Sequence, residues 1–184
     1  MRSPTGDAPF TVVVGLGNPV RYDDAVGLRT AEEVARLLRA DPVPGVRVVV
    51  STRAGLELVD LLTGADRAII VDCLAPAEPE PGRIHRLTPD DVAGSSRLIG
   101  AHDVSVGDAL ALARAAGVPM PETIDIYAVE VWDIDRIEEG LSPDVARAVP
   151  KLAQRIHRQL TGRQAGKAAF EGRPLHPSAL LGVP

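Results

Sequence analysis

The chain has 184 residues, of which 45% are hydrophobic and 24% charged, enough for one domain with a substantial core and too few for two ordinary ones. A net charge of −5 with no basic cluster argues against a nucleic-acid partner, because phosphate binding needs grouped Lys and Arg. The single cysteine, Cys73, excludes an internal disulfide and any multi-cysteine zinc site and fits a reducing compartment, the cytoplasm. No apolar run reaches the length of a membrane span, and the polar stretch from Met1 to Pro9 has no signal-peptide core, so a protein without membrane attachment is expected.

The first element in chain order is a strand at Thr11 to Leu16, whose Val12, Val13 and Val14 suit burial on both faces. Gly15 and Gly17 are expected to open a turn, and Asn18-Pro19 to bend it. Asp23 and Asp24 then stand ahead of Val26, Thr30, Val34, Leu37 and Leu38, a stripe at helical spacing that predicts a helix over Asp24 to Arg39. One aspartate suffices to cap that helix, which leaves the second with an unexplained role.

Further strands are predicted at Val46 to Ser51, Ala68 to Asp72 and Ile124 to Val131, with an edge or antiparallel strand at Gly82 to Leu87 after a proline-rich turn at Ala75 to Pro81. Helices are predicted at Gly55 to Leu62, Val104 to Ala116 and Pro143 to Leu160. In the second of these Val106, Leu110 and Ala113 share a face. The last opens with Ser142 as cap and Pro143 at the first helical position, and Pro150 is expected to kink or split it. This alternation predicts an α/β three-layer sandwich: a mostly parallel twisted sheet with helices on both faces and an antiparallel edge strand. Residues 1–162 form the single domain. Residues 163–184, rich in Gly, Pro and Ala, read as a flexible C-terminal tail.

In such a sheet the ligand site lies beyond the carboxyl ends of the strands, which selects Gly15 to Asp24, Ser51 to Gly55 and Asp72-Cys73. Asp72 ends its apolar run, where its carboxylate is expected to emerge into solvent. His102 stands just ahead of a predicted helix and is able to bind a metal or carry a proton near neutral pH. Asp24, Asp72 and His102 together make a nitrogen and oxygen ligand set without thiolate, compatible with nickel, cobalt, iron or zinc.

Gly15-Leu-Gly-Asn18, Asp23-Asp24 with Gly27, the strand ending in Asp72, His102 before a helix and Gly140-Leu-Ser-Pro143 before the last helix resemble the hydrogenase maturation proteases, in order and spacing, from about Val12 to Leu160. The resemblance implies an endopeptidase, of aspartic or metal-dependent type, that removes a C-terminal extension from the nickel-loaded large-subunit precursor of nickel–iron hydrogenase. It implies that Asp24, Asp72 and His102 are the catalytic and metal-binding residues and that the nickel is the substrate's own, with no organic cofactor. A monomer is expected. The chain departs from the family where Asp24 replaces a frequent Glu, where Ser51-Thr-Arg-Ala-Gly55 replaces an Asp-Gly-Gly-Thr-like segment, adding Arg53, and where Cys73 fills a position that is usually small. Cys73 is expected to be a buried small residue rather than a nucleophile, since no base adjoins it.

Val14-Gly-Leu-Gly-Asn-Pro19 also resembles the opening of bacterial peptidyl-tRNA hydrolase, but Arg21-Tyr-Asp-Asp24 stands where that family has its catalytic histidine. A non-catalytic metal or nucleotide binder is the other alternative. The third glycine of a dinucleotide fingerprint is absent, and four His with one Cys are few for a metal chaperone.

Overall fold

The computed structural model describes residues 10–52, 55–92 and 106–162. Its elements run β1 (Thr11–Leu16), a 3-10 turn (Tyr22–Ala25), α1 (Val26–Ala40), β2 (Val46–Ser51), α2 (Leu56–Leu62), β3 (Arg67–Leu74), β4 (Ile84–Leu87), α3 (Pro89–Val92), α4 (Val106–Ala115), β5 (Thr123–Glu130) and α5 (Pro143–Leu160). The five strands lie in the order β2-β1-β3-β5-β4, all parallel except β4, which pairs antiparallel to β5 at the edge. This is the expected sandwich.

The period-2 alternation of each strand divides the core into two layers. Val12, Val14, Ile70, Ile126 and Ala128 meet Leu58 and Leu62 of α2 and Val106 and Leu110 of α4 on one face. Val13, Ile69, Val71, Tyr127 and Val129 meet Val26 and Val34 of α1 and Val145, Leu152 and Ile156 of α5 on the other. Val12, Val13 and Val14 are fully buried, as their position in an inner strand requires.

Helix α1 comes unusually close to the sheet. A Cβ on Gly15 would lie 2.3 Å from the carbonyl oxygen of Gly27, and one on Gly27 would lie 2.2 Å from that of Leu16 and 2.5 Å from that of Val71. Gly15 is therefore a strand residue that admits a helix backbone, rather than the turn glycine its neighbourhood predicted. The turn conformation belongs to Gly17, at φ +143°.

Helix α5 continues through Pro150 as one element, so of the expected kink or split the split does not occur. Proline removes the bond to the carbonyl of Ala146, a loss of about 3 kcal/mol in a helix interior. Both residues are exposed to solvent, while Val145, Ala148, Leu152, Ala153 and Ile156 bury the opposite face. Ser142 occupies the N-cap position but its hydroxyl makes no capping bond.

At the amino end of the sheet, Asp125 gathers Arg67 and Gln159 at 2.7 Å each and Arg86 Nε at 2.8 Å, which ties α5 to β3, β4 and β5. Burial raises its pKa, but hydrogen bonds and charge from Arg67 and Arg86 outweigh burial and hold the carboxyl below its ordinary value. A lowered acid contributes stability that is complete above its unfolded pKa and is lost as pH falls through the folded value. Asp125→Asn should therefore cost about 2 kcal/mol at neutral pH, given that both arginines are partly solvated. Urea titrations of the two proteins should converge below about pH 4; an undiminished gap there would show the loss to be packing rather than charge.

Candidate functional site

From β1 the chain continues to β2 on one side of the sheet and, later, to β3 on the other, so the strand order reverses between β1 and β3. A crevice opens at the carboxyl ends of such a pair, and ligands of open α/β sheets bind there. Asp24 follows β1, and Asp72 lies one position beyond the Gly15–Val71 pair that closes the β1–β3 ladder.

The loop after β1 is shaped by its sequence. Asn18 Oδ1 accepts from the Val20 amide at 3.1 Å and its carbonyl accepts from Arg21 at 3.2 Å, which forms the predicted bend. Gly17 is required by contact as well as by φ: a Cβ there would lie 2.0 Å from the carbonyl oxygen of Asp24. Tyr22 then takes φ +31°, a left-handed value that a side chain disfavours.

That conformation is held from outside by the loop between β5 and α5. The Tyr22 amide donates to Glu138 and the Glu138 amide to Val20, at 2.9 and 3.1 Å, forming a short parallel bridge between Arg21 and Glu138. The Arg136 guanidinium stands 4.6 Å from the centre of the Tyr22 ring. The amide of Ser142 donates to Asp23 Oδ1 at 2.6 Å. A loop far away in sequence thus grips the chain just ahead of the acid pair and the first acid itself.

Neither Asp23 nor Asp24 caps α1, as one of them was expected to do. Both lie inside the 3-10 turn, and Ala25 takes the N-cap position. The close seating of Gly27 draws the start of α1 onto the strands, so both carboxylates are buried instead of fanning into solvent, at 1% and 2% exposure. Asp23 has a structural bond to the start of α5, whereas Asp24 faces β3.

Asp72 is also fully buried, contrary to the expectation that it would emerge into solvent, because β3 continues to Leu74. Its Oδ1 accepts from the Cys73 amide at 2.8 Å, and the Cys73 thiol donates to Asp24 Oδ1 at 3.1 Å. One residue therefore links the two acids through its N–H and its S–H. Burial above all pushes the Asp72 pKa up to about 7; the Cys73 amide opposes this and the charge of Asp24 adds to it. Burial, and then the charges of Asp72 and Asp24, raises the thiol well above its ordinary value, so Cys73 remains a donor and not a thiolate.

Asp72 Oδ2 and Asp23 Oδ2 are buried with no hydrogen-bond partner among the described residues. An orphaned carboxylate oxygen in low dielectric is costly to the fold and is suited to meeting a cation. His102 and Arg53 lie outside the described residues. In sequence His102 is four positions ahead of Val106, the first residue of α4, and Val106 belongs to the same core layer as Ile70 and Ala128, on the sheet face that also carries Asp72. Among the described residues no cluster of three or more His, Cys, Asp or Glu stands ready to hold a metal.

Sequence reasoning missed the bridging role of Cys73, the Ser142 anchor of Asp23 and a second buried pair. His85 and Glu130 are 2% and 5% exposed and lie 2.5 Å apart. His85, Ala128 and Asp72 are register partners across β4, β5 and β3 on one sheet face. Burial opposes ionisation of Glu130, but the hydrogen bonds from His85 and the Glu80 amide hold its pKa below the ordinary value. Glu130 was hidden inside an apolar-looking strand, and only β4 pairing reveals its partner.

Residues 28–159 match the family model described as hydrogenase maturation protease. The chain is 25% identical over 167 residues to the hydrogenase 2 maturation protease of Escherichia coli, covering 90% of this chain and 98% of that one. It is 27% identical over 159 residues to the hydrogenase expression/formation protein HupD of Thiocapsa roseopersicina, covering 79% and 69%. The fold superposes on the hydrogenase maturating endopeptidase HybD from E. coli with a TM-score of 0.67 at 21% identity, over 84% of this chain and 93% of that one. It also superposes on the maturation protease HycI from Thermococcus kodakarensis with a TM-score of 0.60 at 20% identity, over 83% and 92%. With a buried acid pair at the switch crevice of the same sandwich, and a family match across most of its length, the chain belongs to the hydrogenase maturation proteases.

Proposed function

We propose that this peptidase removes the C-terminal extension of a nickel–iron hydrogenase large-subunit precursor that already carries nickel, and that Asp24, Asp72 and His102 meet that nickel. The observation that carries the reading is Asp72: a fully buried carboxylate with one oxygen unpartnered among the described residues, beside Asp24, near the carboxyl end of β3 at the point where the strand order reverses. Nickel is part of the substrate and supplies the sign that the precursor is loaded. Two carboxylates and one imidazole are a sparse set of hard and borderline donors, adequate to probe a metal held by another protein and too few to strip it. Cys73 keeps Asp24 and Asp72 in one orientation, and the Tyr22 grip fixes the backbone from which Asp24 projects. Residue for residue this accounts for both acids. Asp23 supports the loop and Asp24 faces the substrate.

The protein acts in the cytoplasm as a monomer, without an organic cofactor. No helix among the described residues is long and apolar enough to cross a membrane. The test is direct: purified protein is incubated with nickel-loaded and nickel-free large-subunit precursor, and intact masses are followed. Loss of the extension from the loaded form alone is the expected result. A loaded precursor left intact, under conditions where an established maturation protease trims its own, would sink the assignment.

A further inference from the structure

The loop between β5 and α5 carries apolar side chains in two opposite orientations. Ile134 and Leu141 pack onto the core layer beneath α1 and α5. Trp132 and Ile137 point out, at 73% and 84% exposure, and neither belongs to a core cluster among the described residues. The Arg21–Glu138 bridge sets Val20, 46% exposed, in register beside Ile137, so apolar surface continues from this loop onto the one that leads into Asp23 and Asp24. Exposed tryptophan on a rigid loop is uncommon at random and frequent at the centre of interfaces.

The loop is preformed. Asp133 Oδ1 accepts from the amides of Asp135 and Arg136 at 3.1 and 2.9 Å, Arg136 pairs with Glu138 at 2.5 Å, and the bridge to Val20 and Tyr22 fastens the far side. A partner landing on it orders little, so apolar contact converts efficiently into affinity. Around Trp132 and Ile137 stand Asp133, Asp135, Glu138 and Glu139 against Arg21 and Arg136, an acidic surplus.

We infer that Trp132, Ile137 and Val20 form the docking surface for the folded face of the large-subunit precursor, which meets it with an apolar patch edged by basic residues. This inference rests on the reading of Asp24 and Asp72 given above. Metal held by another protein reaches those acids only when that protein lies against the carboxyl rim, and this surface is built on the loop that delivers Asp24. Docking and metal recognition thereby share one backbone, the segment from Val20 to Asp24.

Steady-state processing of nickel-loaded precursor, with binding measured on immobilised precursor, separates the two roles. Trp132→Ala and Ile137→Ala should each raise KM and Kd about 10- to 30-fold, as truncation of a central interface residue does, with kcat at saturating precursor retained. Trp132→Phe should recover most of the loss, and Leu112→Ala, on exposed α4 surface, should behave as wild type. Unchanged KM and Kd in both alanine variants, with wild type cutting normally, would overturn the docking surface and leave the proposed activity standing. A wild-type protein that neither binds nor cuts loaded precursor would overturn both. Equal melting temperatures for all variants, expected because the side chains are exposed, keep folding out of the comparison.

Discussion

Asp72→Asn should lower processing of nickel-loaded precursor about 100-fold or more while leaving the melting temperature unchanged or raised. The loss follows from removing an anionic donor from the proposed nickel contact, where even supporting groups around a metal are worth about 10- to 100-fold. The gain follows from burial: Asp72 is fully enclosed, one oxygen lacks a partner among the described residues, and Asp24 stands near it. A buried charge of that kind opposes folding, and an amide retains the bond from the Cys73 amide without the charge. Function and stability thus part company at one residue. Asp24→Asn should lose activity similarly, and His102→Ala should do so without unfolding. The comparison needs a mass assay and a thermal melt on the same samples. Processing that survives Asp72→Asn or His102→Ala would remove that residue from the metal set. A fall in melting temperature as large as the loss of activity would make Asp72 a structural acid.

Gly27→Ala should do the reverse, damaging the fold first and activity as a consequence. Alanine is ordinarily the better helix residue by about 1 kcal/mol. Here its methyl would lie 2.2 Å from the Leu16 carbonyl oxygen and 2.5 Å from that of Val71, both backbone atoms of inner strands that cannot rotate away. Helix α1 must lift off the sheet, at a cost of about 3 kcal/mol net, which corresponds to about 10 °C in melting temperature for a chain of this size. Lifting α1 also shifts the acid pair that precedes it, so the surviving folded protein should process slowly at permissive temperature. A stabilised variant, as helix propensity alone predicts, would show that the contact relaxes.

The strands and the helices other than the four-residue α3 were legible in the sequence: β-branched runs for the inner strands, a 3.6-residue stripe for α1, and proline after serine for α5, whose limits fall at Pro143 and Leu160 as expected. Of the candidate site, the positions of Asp24 after the first strand and Asp72 toward the end of the third were legible and their burial was not, while His102 lies outside the described residues. Asp72 looked like a strand end because its run of branched residues stops there, yet Cys73 and Leu74 extend β3 beyond it and its side chain is buried. Asp23 and Asp24 looked like caps because acids before a helix usually are; what buries them is the contact between Gly27 and two strands, a tertiary fact with no local signature. The grip of Glu138 and Ser142 on Tyr22 and Asp23 joins positions more than a hundred residues apart, and no spacing rule reaches that far.

The seat of α1 on the sheet is main chain against main chain: Gly15 against Gly27, and Gly27 against Leu16 and Val71. Elsewhere in the core the distance between helix and strand is a sum of side-chain sizes and moves when those sizes change. At this seat it is set by atoms common to every amino acid, so the surrounding valines and leucines are free to drift, volume for volume, without displacing Asp24. A scaffold anchored in that way tolerates extensive turnover of its interior, and its acid pair needs few fixed neighbours to stay in position.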